Sequence, residues 1–167
     1  MRSHEAHADV QIQGCWALAG LAGNHHAHKA RIGECGGIEA VVAVMRSQLA
    51  NPDVQDSGCA TLANLAGNND ANKERIVGCG AMEAVVTAMR THEVSPSVQS
   101  LGNMVLAILV VDNDSNKERI MGCGGIEAVV AEPESENVGV SRQWWQPCDH
   151  TQPISISNLM DARFCLT

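Results

Sequence analysis

Three histidines near the amino end of the chain are the first candidates for chemistry. His25, His26 and His28 occur in the segment NHHAHK, and Cys35 follows a few residues later. Imidazole and thiolate groups are suitable ligands for zinc and other transition metals. A metal-binding or redox module is therefore one hypothesis for this sequence.

The equivalent turns later in the chain favour a structural role for these histidines. Those turns carry mainly amide side chains: Asn68, Asn69 and Asn72, and then Asn113, Asp114 and Asn116. Side chains of this type cap the helix that follows them. We therefore expect a polar capping turn here, and we predict no metal site and no cofactor.

The seven cysteines and the remaining polar residues give no catalytic pattern. No Cys-x-x-Cys pair is present, and Cys15, Cys35, Cys59 and Cys79 recur at a fixed interval beside glycines. We expect reduced thiols that act as small buried packing residues. No Ser/His/Asp order, phosphate loop or carboxylate pair stands out, so we predict that the chain is not an enzyme and has no catalytic residues.

A 44-residue repeat organises the chain and must position all of these side chains. Three sets of identical residues keep that spacing: Val10, Val54 and Val98; Lys29, Lys73 and Lys117; Cys35, Cys79 and Cys123. A unit this short cannot bury its apolar face alone, so its copies must stack on one another. The predicted organisation is a repeat domain at 1–131, with a partial unit at 1–8 and units at about 9–52, 53–96 and 97–131, followed by a disordered or irregular tail at 132–167.

Each full unit is predicted to contain three helices. Asn51 and Ser95 each stand before a proline at a first helical position, which begins a long helix that ends near Gly67 or Val111. A polar turn and a short helix follow. The next helix has apolar residues at i, i+3, i+4 and i+7, as from Ile38 to Met45. The sequence therefore predicts an all-α fold.

Short sequence segments in each unit carry a family resemblance. Three segments share a Gly-Ala-Ile-like helix opening, and one has a Leu-Ser-Asn-Leu-like helix end: Cys35-Gly36-Gly37-Ile38, Cys79-Gly80-Ala81-Met82 and Cys123-Gly124-Gly125-Ile126, and then Leu62-Ala63-Asn64-Leu65. They resemble the armadillo repeat family over residues 1–131. The resemblance implies a right-handed armadillo-like α-solenoid of about three repeats, with protein binding along a groove lined by the long helices.

A comparison of the three long helices with one another locates a candidate groove. The positions that change most fall on an arc of roughly 140° when each residue advances about 100°. Packing between copies demands the same residue each time, whereas a surface that binds different parts of a ligand does not. The predicted partner-binding residues are Gln13, Trp16 and Gly20; Ser57, Ala60 and Asn64; and Leu101, Met104 and Ile108. The competing interpretation is that these positions vary because they are merely exposed.

Charge and hydropathy narrow the class of partner. The formal net charge of −8 and the pI near 5.2 argue against a nucleic-acid surface, which needs a basic stripe. The amino terminus lacks an apolar signal core, and no apolar run approaches the roughly 20 residues that a membrane helix needs. We therefore predict a cytoplasmic or nuclear protein that binds a protein or peptide, with no membrane span.

Neither end of the predicted repeat series has a polar capping repeat. Met1, Arg2 and Ser3 match the residues at 45–47, so the chain opens inside a unit. About three units is near the minimum for a stable stack, which predicts self-association through the uncapped ends. The function predicted from the sequence is a non-catalytic protein-interaction module or scaffold. The alternatives are the metal-binding or redox module, and a fragment of a longer array with no independent role.

Overall fold

The computed structural model describes residues 7–23, 25–111 and 113–131, and the regular structure in these ranges is entirely α-helical. The helices of the described residues are α1 (Ala8–Ala22), α2 (His26–Glu34), α3 (Gly37–Ser47), α4 (Pro52–Ala66), α5 (Asp70–Gly78), α6 (Ala81–Thr91), α7 (Pro96–Val110), α8 (Asp114–Gly122) and α9 (Gly125–Val130). Every helix begins 44 residues after its counterpart. The predicted all-α class is confirmed.

The long helices α4 and α7 begin at the predicted positions. Asn51 caps α4, because its Oδ1 accepts hydrogen bonds from the backbone N–H groups of Asp53 at 3.0 Å and Val54 at 3.3 Å. Ser95 makes no such capping bond. Pro96 nevertheless begins α7, since the proline ring already holds the backbone near helical φ. Both of these helices therefore begin where their prolines predict.

Two kinds of tight corner connect the helices within a repeat. Asn69 Oδ1 accepts a hydrogen bond from the backbone N–H of Asn72 at 3.0 Å and so begins α5. Gly36, Gly80 and Gly124 precede α3, α6 and α9 with φ of 77°, 77° and 76°. Residues with a Cβ rarely adopt this left-handed conformation, so glycine is required at each of these corners.

Helix α4 packs between α1 and α7, and these two contacts are the most extensive between helices in the described residues. Glycines allow the long helices to approach the helices that precede them. A Cβ built on Gly58 would lie 2.6 Å from Met45 Cγ, and one on Gly102 would lie 2.6 Å from Met89 Cγ. The absence of a side chain at these two positions therefore permits the close helix approach.

A glutamine, buried in α4 and half-buried in α7, links each of these long helices to the end of the preceding helix. Gln55 Nε2 donates to the carbonyl oxygens of Met45 and Gln48, both at 2.9 Å. Gln99 Nε2 likewise donates to the carbonyl oxygens of Met89 and His92. The last carbonyl groups of a helix have no partners within the helix, so these bonds cap the ends of α3 and α6.

The predicted apolar faces form the core. The four apolar positions of α3 and of α6 are at most 2% exposed: Ile38, Val41, Val42 and Met45; Met82, Val85, Val86 and Met89. All the described helices belong to one compact unit. Most of the predicted partial unit at 1–8, and the whole predicted tail at 132–167, lie outside the described residues.

Candidate partner-binding surface

The nine residues predicted to bind a partner lie on α1, α4 and α7, but they do not share one surface. Six of them are exposed or half-buried: Gln13, Trp16, Gly20, Asn64, Met104 and Ile108. Ser57 is fully buried, Leu101 is 5% exposed and Ala60 is 7% exposed. The prediction is therefore wrong for Ser57, Leu101 and Ala60, which are too deeply buried to offer contact area to a partner.

Contacts between neighbouring long helices explain this correction. Thr61 lies one turn beyond Ser57, and its Oγ1 donates to the carbonyl oxygen of Cys15 at 3.0 Å and to that of Ser57 at 2.7 Å. This side of α4 therefore faces α1. Gln13 is exposed because α1 is the first helix of the described residues and packs on α4 through its opposite side. The residue therefore differs between Gln13 and its equivalent Ser57 because α4 has a helix packed on this side and α1, within the described residues, does not.

A neighbouring row of positions is exposed or half-buried on all three long helices except at Ala60. We call it the open stripe, and it consists of Ile12, Trp16 and Gly20; Asp56, Ala60 and Asn64; and Ser100, Met104 and Ile108. Successive members are four residues apart, so each set lies along one side of its helix. Trp16 is the most prominent member, with 47% of its surface exposed. Ala60 contributes little because it is nearly buried.

The long helices that carry the open stripe together have acidic side chains and no basic ones. The helices α1, α4 and α7 contain Asp9, Asp53 and Asp56 and no lysine, arginine or histidine. Asp53 and Asp56 lie on the same side of α4 as Asn64 because they precede it at helical spacing. The stripe therefore combines apolar side chains with negative charge.

Ion pairs between successive repeats are a feature that the sequence analysis missed. Arg75 Nη1 lies 3.5 Å from Glu39 Oε1, and Arg119 Nη2 lies 2.8 Å from Glu83 Oε1. The segments Lys73-Glu74-Arg75 and Lys117-Glu118-Arg119 are typical of solvated helix faces when each is considered alone. The recurrence of both partners at the 44-residue spacing is the sequence signal that was available, because one repeat must supply the acid and the next the base.

The histidine segment occupies the place of an asparagine turn. His28 Nδ1 lies 3.1 Å from the carbonyl oxygen of Leu21. Asn72 Nδ2 donates to the corresponding carbonyl oxygen of Leu65 at 3.1 Å, so the two side chains serve the same helix end. His25 makes no side-chain capping bond to α2, which corrects that part of the prediction. Within the described residues, no group of three His, Cys, Asp or Glu side chains is placed to hold a metal ion.

The cysteines of the described residues occupy buried, half-buried and exposed positions. Cys15 and Cys59 are fully buried, as predicted, whereas Cys35 is exposed, so the prediction is wrong for that residue. Burial raises the pKa of Cys59 to about 12, with a further increase from the negative charge of Asp56. Burial also raises the pKa of Cys15 and Cys79. A thiol with a raised pKa is a poor nucleophile at neutral pH because it is rarely ionised.

Comparisons of the chain with protein-family models, curated proteins and solved structures give no significant match. No helix in the described part of the chain is both long and apolar enough to cross a membrane. Function must therefore be inferred from the helices and from the surface that they present.

Proposed function

We propose that this chain is a non-catalytic protein-interaction module of the armadillo type, in which the open stripe binds a segment of a partner protein. One observation carries the proposal: three long helices pack in sequence and leave a row of unlike side chains accessible, with Trp16 47% exposed. Tryptophan is enriched among the residues that dominate binding energy at protein interfaces. Met104 and Ile108 extend this apolar character to α7.

The repeat order supports the armadillo assignment. Each unit contains a long helix, a short helix and a further helix whose apolar face is buried, and the glycine corners before α3, α6 and α9 coincide with the family-like openings. Packing of the long helices in repeat order is what a right-handed α-solenoid requires.

The size of the stripe indicates the length of the partner segment. Neighbouring packed helices are about 8–10 Å apart, so the stripe spans about 20 Å from α1 to α7. An extended chain advances about 3.3 Å per residue, which corresponds to about six residues across the stripe. We therefore propose an extended segment of about that length as the partner.

The charge of the stripe indicates the chemistry of the partner segment. Asp53 is exposed and Asp56 is half-buried on the same side of α4, and the three long helices carry no positive charge. A segment that places an apolar side chain on Trp16 and an arginine or lysine beside these carboxylates would match both features. The proposed ligand is a short apolar and basic peptide.

Peptide selection followed by substitution tests this proposal. Extended peptides are selected from a displayed random library against the full chain, and their affinities are measured by fluorescence anisotropy. We expect Trp16→Ala combined with Met104→Ala to weaken binding at least about tenfold, because tryptophan truncation at an interface costs roughly 2 kcal/mol or more. Asp53→Asn with Asp56→Asn should weaken binding and reduce its dependence on salt.

Val94→Ala provides the matched control. Val94 is 77% exposed, but it lies in the connection between α6 and α7 and is not a member of the stripe. Binding should therefore stay within about twofold of the unmodified chain, as for other surface substitutions outside an interface. If the selected peptides bound the Trp16→Ala/Met104→Ala double variant as tightly as they bound the Val94→Ala control, the stripe would not be the binding surface. An absence of any selected peptide would also count against the proposal.

A further inference from the structure

The first long helix exposes the surface that the other long helices bury. We call this surface the amino-end face, and it consists of Val10, Gln13, Ala17 and Leu21 on α1. Val10 is 42% exposed and Leu21 is 58% exposed. The equivalent residues of α4 are fully buried against the preceding repeat: Val54, Ser57, Thr61 and Leu65. Those of α7 are at most 5% exposed: Val98, Leu101, Val105 and Leu109. Within the described residues, nothing performs this covering role for α1.

The opposite end of the described residues exposes the complementary surface. We call it the carboxyl-end face, and it consists of Ala107 and Val110 on α7 and Ile126, Val129 and Val130 on α9. The three residues of α9 are 52%, 50% and 68% exposed. Together with their neighbours they line an apolar groove of about 490 Å³. Their counterparts in α6, Met82, Val85 and Val86, are at most 2% exposed because α7 packs on α6.

The internal junctions show what would fit this groove. In each of them a long helix packs on the long helix of the preceding repeat and also on the helix that comes just before it in sequence: α4 packs on α1 and α3, and α7 packs on α4 and α6. The carboxyl-end face therefore has the form of a surface that accepts another long helix. The amino-end face of α1 is the same side of the same repeated helix, now exposed. A second copy of the chain carries both complementary faces.

Charges at the two ends point to the same occupant. Each internal junction pairs a glutamate of one repeat with an arginine of the next, as Arg75 does with Glu39 and Arg119 with Glu83. At the carboxyl end the equivalent glutamate is Glu127, which is exposed. At the amino end the equivalent arginine is Arg31, whose ion pair with Glu34 at 3.5 Å is local and exposed. Stacking two copies end to end brings Arg31 of one copy opposite Glu127 of the other.

We propose that copies of this chain associate head to tail, with the amino-end face of one copy packed on the carboxyl-end face of the next. The repeat series then continues from one molecule into another. The two faces differ, so the contact is heterologous and leaves one free face at each end of the assembly. The contact between copies should be weaker than an internal junction, because position 134 is glutamate where internal junctions have Arg46 or Arg90. Those arginines donate to the carbonyl oxygens of Gly80 and Gly124.

Sedimentation equilibrium of the full chain tests the association. We expect the average mass to rise continuously with concentration from about 5 to about 500 µM, a range that brackets weak association, without a plateau at the dimer. Leu21→Glu and Val130→Glu each place a charge in one apolar face and should weaken association more than about twentyfold. Val94→Glu is the matched control, since Val94 is exposed outside both faces.

Mixing the two end-blocked variants tests the direction of the contact. Leu21→Glu retains an intact carboxyl-end face, and Val130→Glu retains an intact amino-end face. An equal mixture should therefore form a one-to-one heterodimer with twice the chain mass of 17.7 kDa, while each variant alone stays monomeric. A symmetric dimer built from one face would respond to only one of the substitutions, and that result would overturn the proposal.

Charge reversal tests the residue pairing independently. Arg31→Glu and Glu127→Arg should each weaken association about fivefold, because each places like charges opposite one another. Their equal mixture should regain the original association, since both of its mixed junctions pair opposite charges. Weakening without recovery on mixing, or a chain that stays monomeric at every concentration, would overturn the proposal. Peptide binding to the open stripe should be unchanged in all of these variants, so the two proposals fail separately.

Discussion

At the residue scale, equivalent side chains perform the same task even when their chemistry differs. His28 and Asn72 both contact the carbonyl oxygen of a leucine seven residues earlier, although one is an imidazole and the other an amide. Asn72 also donates to the carbonyl oxygen of Lys29 at 3.0 Å, which links its repeat to the preceding one. His28, although its side chain is a common metal ligand, therefore makes the same helix-end contact as its asparagine counterpart.

Cysteine reactivity provides a prediction at this scale. We expect iodoacetamide to modify Cys35 readily in the folded chain and to leave Cys15 and Cys59 unmodified until the chain unfolds. Cys35 is exposed, whereas burial raises the pKa of Cys59 to about 12. At pH 8 only about one Cys59 thiol in 10⁴ would be ionised. Peptide mapping by mass spectrometry would measure each site, and rapid modification of Cys59 in the folded chain would contradict the burial.

At the element scale, helix α4 is specified both by local residues that begin it and by residues that pack it against other helices. Proline and a capping residue begin α4, and a mid-helix glycine lets Met45 pack against it. Buried Gln55 completes the contact by capping the end of α3. Helix α4 therefore depends on α3, which comes just before it in sequence, as well as on α1, the long helix of the preceding repeat.

Two glycine substitutions separate close packing from helix propensity. Gly58→Ala places a Cβ 2.6 Å from Met45 Cγ, whereas Gly20→Ala meets no atom within 4 Å. Overpacking costs about 1–3 kcal/mol and replacing a helical glycine with alanine gains about 1 kcal/mol. We expect Gly20→Ala to raise the free energy of unfolding and Gly58→Ala to lower it. Urea denaturation followed by circular dichroism would measure both, and equal stability of the two variants would argue against the Met45 contact.

At the scale of the whole molecule, stability should vary with position in the series. Nearly every side chain of α4 from Val54 to Ala66 is buried because the helix has a long helix on each side. In α1 the buried residues are only Gln11, Cys15, Ala19 and Ala22. Each repeat contacts its neighbours, so the outer repeats have fewer contacts to lose when they open. The middle repeat should therefore open last.

Hydrogen exchange would measure this gradient. We expect backbone amides of α4 to exchange most slowly and those of α1, α8 and α9 to exchange faster, because local opening is easiest where fewest apolar contacts are lost. Mass spectrometry of the Leu21→Glu variant is the appropriate measurement, since blocking one end prevents protection by a second copy. Uniform exchange rates across α1 and α4 would mean that the repeats open together.

The sequence by itself determined the helices and their periodicity. Pro52 and Pro96 set helix starts, the glycine before each third helix set a corner, and Ile38 to Met45 set a buried face, because these are local effects of backbone geometry and spacing. Only the tertiary structure decided which variable positions face solvent. Ser57 and Gln13 are equivalent in sequence, yet a neighbouring helix buries one and leaves the other exposed. Burial is a property of the assembled repeats, and a comparison of isolated helices does not contain it.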